Sequence, residues 1–323
     1  MSAILTYRRD RQNCSKVEQE GERSYKKITA ARRFLVHTFL VFGNTYMQFV
    51  SVPDMVTTLL LIVSILTEAS GRSVDQHIVN GDVVEPHTYP WQLSLQHLGH
   101  HVCGAVLINT QYALTAAHCV DITGPYVSHC TMCPGTDRVQ CGVHNIHIHE
   151  NDRQDAAVTG LRVHPGYDPN SAYPSYPHDI AVLRLDRYLR QDEKCSPAVL
   201  ASGPEDYTDA DATITGWGFV YDGSYTPSRL KEGKVKVLHP SDCSWRWGHN
   251  VNSTVHVCLK DLGNKVYGMC HGDSGGPAQV GNVVIGLASF MGSGCLTDYP
   301  SVYVRISSHI DWILGAIAEL ANE

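Results

Sequence analysis

The N-terminal part of this 323-residue chain lacks an apolar run of the roughly 18 residues that a membrane-spanning helix needs. Its two apolar runs, residues 34–43 and 56–67, are both shorter. The rest of the chain has fewer basic than acidic residues: residues 78–323 carry 15 Lys and Arg against 25 Asp and Glu. A patch that could neutralise phosphates is therefore missing, which argues against a nucleic-acid partner. Internal repeats of 20 to 50 residues are absent too, so the chain is not a repeat array.

Cysteine, in contrast, is abundant. The chain has 11 cysteines, and ten of them follow residue 100. In a chain of this length such a set indicates a disulfide framework, and disulfides indicate an oxidising compartment. The remaining one, Cys14, stands alone near the N-terminus. We therefore expect the part of the chain after residue 77 to be secreted and extracellular.

The second apolar run resembles a signal peptide. Residues 55–71 contain an apolar stretch followed by the small residues Ala69-Ser70-Gly71. On this interpretation residues 1–54 are an N-terminal extension that is absent from the mature protein. The alternative is a signal anchor, in which the basic first 33 residues form a cytoplasmic tail. Both interpretations put the cysteine-rich part in an oxidising space.

From Ile78 onward the sequence alternates short β-rich runs with turn residues. This spacing predicts an all-β barrel or sandwich. The end of the chain differs, because Ser308-x-x-Asp311 has the form of a capping box. Apolar residues follow at helical spacing, namely Ile310, Ile313, Leu314, Ile317 and Leu320. We therefore predict an α-helix at residues 308–320.

One glycine-rich stretch, GDSGGP at residues 272–277, raises the question of a catalytic serine. Taken alone, it is equally typical of a turn. A serine hydroxyl is a poor nucleophile at neutral pH, so Ser274 needs a base and a group that holds the base. His118 and Asp179 lie at the edges of apolar, strand-like runs and could fill these roles. The part after residue 77 has 16 histidines, however, so the residues alone do not select one.

Five motifs that occur in a fixed order select His118 and Asp179 as the partners of Ser274. They are IVNG at Ile78, TAAHC around His118, DIAVLRL from Asp179, GWG at residues 216–218 and GDSGGP around Ser274. Together they resemble the chymotrypsin-like serine protease family, with its order His, Asp, Ser. The resemblance runs from residue 78 to about residue 315. It implies two packed antiparallel β-barrels, at about 78–195 and 196–306, followed by a C-terminal helix, within a protease domain at residues 78–323.

The same resemblance implies a serine endopeptidase that works through an acyl-enzyme. Ser274 would attack the peptide carbonyl, His118 would take its proton, and Asp179 would hold the imidazole. The backbone N–H groups of Gly272 and Ser274 would form the oxyanion hole. The rival hypothesis is a catalytically silent, protease-like binding protein. This hypothesis is disfavoured because Ser274, His118 and Asp179 are all present, whereas an inactive relative usually lacks one of the three.

The family also implies disulfide partners. By resemblance, Cys103 pairs with Cys119, Cys243 with Cys258, and Cys270 with Cys295. A further bridge of many relatives is missing, since Ala212 and Val280 stand in its two places. The pairing of the four other cysteines stays open at this point: Cys130, Cys133, Cys141 and Cys195.

Relatives are made as zymogens, and a cut before the IV dipeptide activates them. Here the cut would free the α-amino group of Ile78, whose partner would be Asp273. Residues 72–77 would then be a short activation propeptide. His77 stands before the bond, where relatives usually have Arg or Lys. We therefore expect an unusual activating protease or self-cleavage.

Specificity is read from the residues that correspond to the family's primary pocket. Gly268 would form its floor and brings no charge, whereas relatives that select Lys or Arg have an aspartate there. Met269, Met291 and Ser301 would shape the walls, and Ser289-Phe290-Met291 would offer a backbone edge to the substrate. This set predicts an elastase-like pocket for small or medium aliphatic residues. The alternative is a trypsin-like preference, if Asp298 turns inward.

We expect no cofactor and no metal. Cys130, Cys133, Cys141 and His144 have some features of a zinc site, but their spacing matches no common finger and the compartment favours disulfides. His147 and His149 fit a solvated loop. A calcium loop of many relatives should be absent, because Val143 and Arg153 replace two ligands.

Partners and modification complete the expectations. Protein or peptide substrates are the expected partners, with a protein inhibitor as a second candidate. We expect a monomer without nucleic acid, and without a membrane contact if the signal peptide is removed. Asn252-Ser253-Thr254 is a glycosylation sequon.

Overall fold

The computed structural model describes residue 78 and residues 81–121, 137–169, 171, 176–219, 226–261, 267–295 and 299–323. All of them belong to one compact unit, Gln76–Glu323. The predicted extension, signal peptide and propeptide lie outside these residues. So do Cys14, Cys130, Cys133 and Asp298.

Strands dominate the described residues. In chain order they are β1 (Asp82–Val83), β2 (Gln92–His97), β3 (His100–Leu107), β4 (Tyr112–Thr115), β5 (Asp137–Cys141), β6 (Gln154–Val163), β7 (Ala181–Leu185), β8 (Val199–Leu200), β9 (Asp211–Gly216), β10 (Lys231–Val237), β11 (His256–Asp261), β12 (Pro277–Val280), β13 (Val283–Phe290) and β14 (Ser301–Arg305). The helices are α1 (Pro240–Trp247) and α2 (Ile310–Ala321), and 3₁₀ turns lie at Ala117–Cys119, Gly248–Asn250 and Ser307–His309.

The first barrel closes in the order β2-β3-β4-β7-β6-β5, with β5 paired back to β2. All its pairings are antiparallel. Strand residues alternate between the two faces of a sheet, so Leu93 and Leu95 of β2 share the barrel core with Ala105, Leu107 and Leu183.

The second barrel contains β10, β11, β14, β13, β12 and β9, and the β9–β10 pairing closes the ring. β1 pairs with β10, and β8 pairs with β13 in parallel. The predicted architecture of two antiparallel β-barrels is thus confirmed. A third apolar cluster joins residues of both barrels, including Leu114 and Val182 of the first and Leu287 and Val304 of the second.

The C-terminal helix is confirmed, but its predicted cap is wrong. α2 begins at Ile310 and buries Ile313, Ala316 and Leu320 against the cluster shared by the barrels. No side chain caps its first turn. The hydroxyl of Ser308 instead donates at 3.1 Å to the carbonyl of Arg305, the last residue of β14. The hydroxyl that a capping box requires is therefore already used.

Four disulfides join described cysteines. Three are the pairs that the resemblance implies, Cys103–Cys119, Cys243–Cys258 and Cys270–Cys295. The fourth, Cys141–Cys195, was left open by the sequence. Because Cys141 is in a disulfide, it is not a thiolate ligand in a zinc site with His144.

None of the described helices is both long enough and apolar enough to cross a bilayer.

Candidate active site

Strand pairing brings His118 and Asp179 together. β4 and β7 are antiparallel neighbours, with Thr115 opposite Ala181. His118 lies in the 3₁₀ turn just after β4, and Asp179 lies just before β7. Because the end of one strand faces the start of the other, both side chains meet at one rim of the first barrel.

The two residues form a tightly bonded pair. His118 Nδ1 lies 2.7 Å from Asp179 Oδ2, and the backbone N–H of His118 donates to Asp179 Oδ1 at 2.9 Å. The hydroxyl of Ser289 also donates to Oδ2, at 2.6 Å. Asp179 is 0% exposed, whereas 28% of the His118 side chain is exposed. Since a carboxylate accepts from Nδ1–H, the neutral imidazole keeps its lone pair on Nε2.

The pair shifts the pKa of both members. Burial alone would lower the pKa of His118, but the charge and hydrogen bond of Asp179 outweigh it, and the pKa is raised above its usual value. Burial would likewise raise the pKa of Asp179, yet the contacts with His118 and Ser289 lower it. The carboxylate is therefore ionised at neutral pH, and the histidine is a stronger base than a free imidazole.

The loop that carries Ser274 is held between the barrels. The N–H of Gly104 in β3 donates to the carbonyl of Ser274 at 2.8 Å, and the N–H of Gly275 donates to Ala288 of β13 at 2.7 Å. Among the described residues no hydrogen bond links the Ser274 hydroxyl to His118. Such contacts are often long in structures without substrate.

Gly272 turns the backbone just before this serine. Its φ of +96° lies in the left-handed region that favours glycine, and a Cβ would lie 3.2 Å from Gly218 Cα. Within the described part of the chain, the N–H groups of Gly272 and Ser274 donate to no backbone carbonyl. Two backbone donors are thus left for a ligand.

His101 supports this turn, and the sequence analysis missed it. Its Nε2 donates to the carbonyl of Gly272 at 3.0 Å, and its Nδ1 lies 2.9 Å from the hydroxyl of Ser94. Burial lowers the pKa of His101 to about 4, so the ring is neutral and can donate on one side and accept on the other. Its position among 16 histidines carried no distinguishing signal.

Asp273 is buried beside Ile78. The carboxylate accepts from the N–H groups of Gly218 at 2.8 Å and Cys270 at 2.9 Å. Burial raises the pKa of Asp273 to about 7, against the effect of these two donors. Ile78 is 1% exposed, and it lines a small cavity together with Asp273 and Met269. A Cβ on Gly218 would lie 2.3 Å from the carboxylate, which explains the second glycine of GWG.

The residues assigned to the specificity pocket surround one disulfide. A Cβ on Gly268 would lie 3.4 Å from the carbonyl of Cys295 and 3.8 Å from the hydroxyl of Ser301. Met291 is partly buried and packs against Cys270–Cys295. The neighbouring Phe290 is buried, and its ring contacts Trp247 edge-on at 5.3 Å.

The loop between β5 and β6 is held by contacts among its own residues and with β6. Glu150 accepts from the N–H groups of His144 and Asn145 at 2.8 and 2.9 Å. Arg153 forms an ion pair with Asp155 at 2.9 Å. His147 and His149, at the tip of the same loop, are exposed.

Comparison with known proteins agrees with this geometry. The family model described as trypsin matches residues 78–313. A chymotrypsin-like serine proteinase of Haliotis rufescens is 33% identical over 272 residues, which cover 78% of this chain and 96% of that protein. Chymotrypsin-like elastase family member 3B of Macaca mulatta is 33% identical over 256 residues, covering 75% and 93%. The solved structure of neuropsin from mouse brain aligns with a TM-score of 0.64 at 28% identity, covering 73% of this chain and 98% of that one.

Proposed function

The chain belongs to the trypsin family of serine endopeptidases, and we propose that it is a secreted member, made as a zymogen, that cleaves after small or medium aliphatic residues. The observation that carries the proposal is the buried Asp179 carboxylate bonded to His118 Nδ1 at 2.7 Å. This bond leaves the lone pair of Nε2 for a proton, as an acyl-transfer base requires.

In the proposed mechanism Ser274 attacks the peptide carbonyl while its proton moves to His118 Nε2. Asp179 stays ionised and stabilises the imidazolium. The N–H groups of Gly272 and Ser274 donate to the oxygen that becomes negative in the tetrahedral intermediate. His118 then returns the proton to the leaving amine, and water repeats the sequence on the acyl-enzyme.

Activation is proposed to depend on Asp273. A cut between His77 and Ile78 frees an ammonium group next to a carboxylate that already has two backbone donors. Among the described residues Asp273 has no ion-pair partner, and a buried charge without one costs several kcal/mol. Pairing with the new ammonium removes this cost and fixes the turn at Gly272.

The aliphatic preference follows from the side chains around the proposed pocket. Gly268 brings no carboxylate to attract Lys or Arg, and Met291 narrows the space beside Cys270–Cys295. Apolar pockets of this kind separate substrates by about 1–3 kcal/mol per methylene. Large aromatic and basic residues should therefore be poor substrates.

Secretion and glycosylation are proposed together. Asn252 is exposed, and its side-chain oxygen accepts from the N–H and hydroxyl of Thr254 at 3.0 and 2.8 Å. The sequon thus forms a local turn on the surface, which suits a glycan. Expression in a secreting cell, with Asn252→Gln as control, tests both points. Retention of the protein inside the cell contradicts secretion. The lack of a glycan's extra mass on wild type relative to Asn252→Gln contradicts glycosylation.

A covalent serine-protease probe tests the enzymatic proposal. After a cut at Ile78, a fluorophosphonate should label wild type, and Ser274→Ala should stay unlabelled. N-terminal sequencing of the labelled protein should begin at Ile78. Full activity in a protein that begins at Ser73 contradicts the activation model. No labelling after the cut would favour a silent binding protein.

A peptide library cut by the active form then tests specificity, and a preference for Arg or Lys contradicts the aliphatic pocket.

A further inference from the structure

Asp179 lies in a tight backbone turn that immediately precedes β7. The N–H of Ile180 donates to the carbonyl of His178 at 2.7 Å, which makes Asp179 the central residue of a γ-turn. His178 has a φ of +54°, in the left-handed region that is uncommon for any residue other than glycine. A backbone of this kind persists only where its surroundings fix it. A support for Asp179 therefore has to come from the groups around His178.

The ring of His178 is held by a hydrogen bond to His309, in the 3₁₀ turn before α2. His309 Nδ1 lies 2.7 Å from the carbonyl of Arg305, and since a carbonyl only accepts, this nitrogen carries the proton. The lone pair of His309 is therefore on Nε2, and His178 Nδ1, 2.9 Å away, donates to it. Burial lowers the pKa of both histidines, so both rings are neutral near pH 7. Arg305 ends β14, so the second barrel anchors this series of contacts.

Two further contacts enclose the ring of His178. The ring of His164 stacks on it, with centroids 4.4 Å apart and planes within 6° of parallel. His164 is itself fixed, because its Nδ1 accepts from the N–H of Gly166 at 3.0 Å and its own N–H donates to the carbonyl of Ile180 at 3.0 Å. A Cβ on Gly166 would lie 2.8 Å from His178 Cδ2, closer than Cβ atoms approach other groups in proteins. The stack and this close backbone leave the ring little room to turn away from His309.

These contacts reach the carboxylate of Asp179 through a single residue. His178 is bonded directly to Asp179, whose carboxylate lies 2.7 Å from His118 Nδ1. A rotation of the backbone at His178 would swing that carboxylate away from the imidazole. Misplacing a catalytic group by about 1 Å can cost roughly 100-fold in rate. A support for the backbone of His178 is thus a support for the pair formed by Asp179 and His118.

We propose that His178 is a positioning residue of the active site, whose hydrogen bond to His309 holds the turn at Asp179. Ser289 holds the carboxylate oxygen itself, whereas His178 holds the backbone that carries the carboxylate. The C-terminal part of the chain thus supports catalysis through His309. The effect on catalysis rests on the proposed function, but the effect on the pair formed by Asp179 and His118 does not.

Steady-state kinetics of the activated protein on an aliphatic peptide tests the role of the ring. His178→Ala should lower kcat by about tenfold and change KM by less than about twofold, because the lost contact serves the reacting groups and not the bound substrate. His87→Ala is the matched control, since His87 also has a left-handed backbone, at φ +67°, but lies in the loop between β1 and β2. Its kcat should equal that of wild type. A wild-type kcat in a folded His178→Ala overturns the proposal.

His178→Asn should rescue the activity that His178→Ala loses. The amide of asparagine can donate to His309 Nε2 from the place of the imidazole Nδ1, and asparagine tolerates a left-handed φ. This variant should keep at least about half of the wild-type kcat, although it loses the stack on His164. An equal loss of kcat in the asparagine and alanine variants overturns the role of the hydrogen bond.

Gly166→Ala displaces the ring of His178 without removing it. Gly166 is exposed, so the chain should still fold, but the new Cβ has to push His178 Cδ2 away. This variant should lower kcat by at least about threefold, and in combination with His178→Ala it should cause no further loss. Gly315→Ala is the control, because a Cβ there meets nothing within 4 Å. Additive losses in the double variant overturn the proposal, as does a wild-type kcat in Gly166→Ala, even if His178→Ala fails to fold.

A nuclear magnetic resonance titration of the His118 ring tests the positioning without any cleavage reaction. Burial lowers the pKa of His118, and Asp179 more than offsets this effect. In His178→Ala the displaced carboxylate should offset it less, so His118 should titrate at a pH at least about 0.5 lower than in wild type. The signal of His118 is identified by its loss in His118→Gln. An equal pKa in wild type and a folded His178→Ala overturns the proposal. If activated wild type hydrolyses no peptide, the proposed function fails, and this titration still decides the role of His178.

Discussion

Ser289 Oγ donates a 2.6 Å hydrogen bond to Asp179 Oδ2, the same oxygen that accepts from His118 Nδ1. Ser289 belongs to β13 of the second barrel, whereas Asp179 and His118 belong to the first. The carboxylate is thus held from both barrels. The sequence alone assigns only a backbone role to Ser289, because the role of its side chain depends on how the two barrels pack.

Ser289→Ala should lower kcat/KM by roughly 10- to 100-fold. A hydrogen bond to a buried charge is worth about 1.5–3 kcal/mol, and each 1.4 kcal/mol is about tenfold in rate. Ser289→Thr keeps the hydroxyl and is the matched control. Steady-state kinetics on an aliphatic peptide measures both. A wild-type rate in the alanine variant would show that this contact does not support the active site.

The pH dependence of activity should report the His118–Asp179 pair. Activity needs neutral His118, and its pKa is raised above 6.5 by Asp179 against the effect of burial. The acidic limb of kcat/KM should therefore have its midpoint above pH 6.5. In Asp179→Asn the charge is gone and burial dominates, so the limb should move below pH 6.5, with a much lower maximum. An unchanged midpoint in this variant argues against His118 as the base.

Gly272→Ala should impair catalysis more than folding. A side chain at φ +96° costs about 1–2 kcal/mol, and moving one oxyanion donor costs about 100- to 1000-fold in kcat. Gly203→Ala is a close control, because Gly203 has φ +90° and a Cβ there meets nothing within 4 Å. Both variants should lose stability in thermal melts, Gly272→Ala somewhat more because its Cβ lies 3.2 Å from Gly218 Cα, but only Gly272→Ala should lose activity. Equal activity in the two variants contradicts the oxyanion assignment.

Asp273 should make the uncut chain less stable as pH rises. Its pKa is raised by burial to about 7, whereas an unfolded aspartate has about 3.9. The folded chain binds more protons between these values, so its stability falls as pH rises through this window. Asp273→Asn lacks this titration. The melting temperature of the variant relative to wild type should therefore rise by several degrees from pH 5 to pH 7.5.

The cut at Ile78 should reverse the order of the melting temperatures of wild type and Asp273→Asn at pH 7.5. Once the new ammonium pairs with Asp273, wild type should melt above Asp273→Asn at pH 7.5, because the asparagine leaves the ammonium without a counter-charge. Differential scanning calorimetry before and after cleavage measures this. If cleavage leaves the difference between the two proteins unchanged, Ile78 does not pair with Asp273.

Met291→Gly should open the proposed pocket. Removing this side chain beside Cys270–Cys295 makes room for rings, so the ratio of kcat/KM for Phe over Ala should rise by at least about tenfold. Gly268→Asp should instead raise the rate for Arg substrates. Competing peptides that differ only before the cleaved bond measure both ratios. Unchanged ratios in both variants would place the specificity pocket elsewhere.

Much of the fold and part of the site could be predicted from the sequence. Short β-rich runs separated by turn residues, together with five ordered motifs, predicted the barrels, and the structure confirms them. The proposed cap at Ser308 was wrong because its hydroxyl bonds to Arg305 instead. The Cys141–Cys195 bridge and the support of Gly272 by His101 could not be predicted. These contacts join residues that are far apart in the sequence, and the chain has many other cysteines and histidines. The residues next to each one therefore do not show which partner it contacts.

The hydrogen bond from Gly104 to the carbonyl of Ser274 has a consequence for protein synthesis. A chain folds from its N-terminus as it is made, and Ser274 belongs to the barrel that emerges last. Its loop finds one of its anchors only on the barrel made first. Neither barrel expressed alone should therefore react with a serine-directed probe, whereas two fragments refolded together, the first of them beginning at Ile78, should. The site of the growing chain thus stays incomplete until nearly all of it has been translated, well before any cut at Ile78.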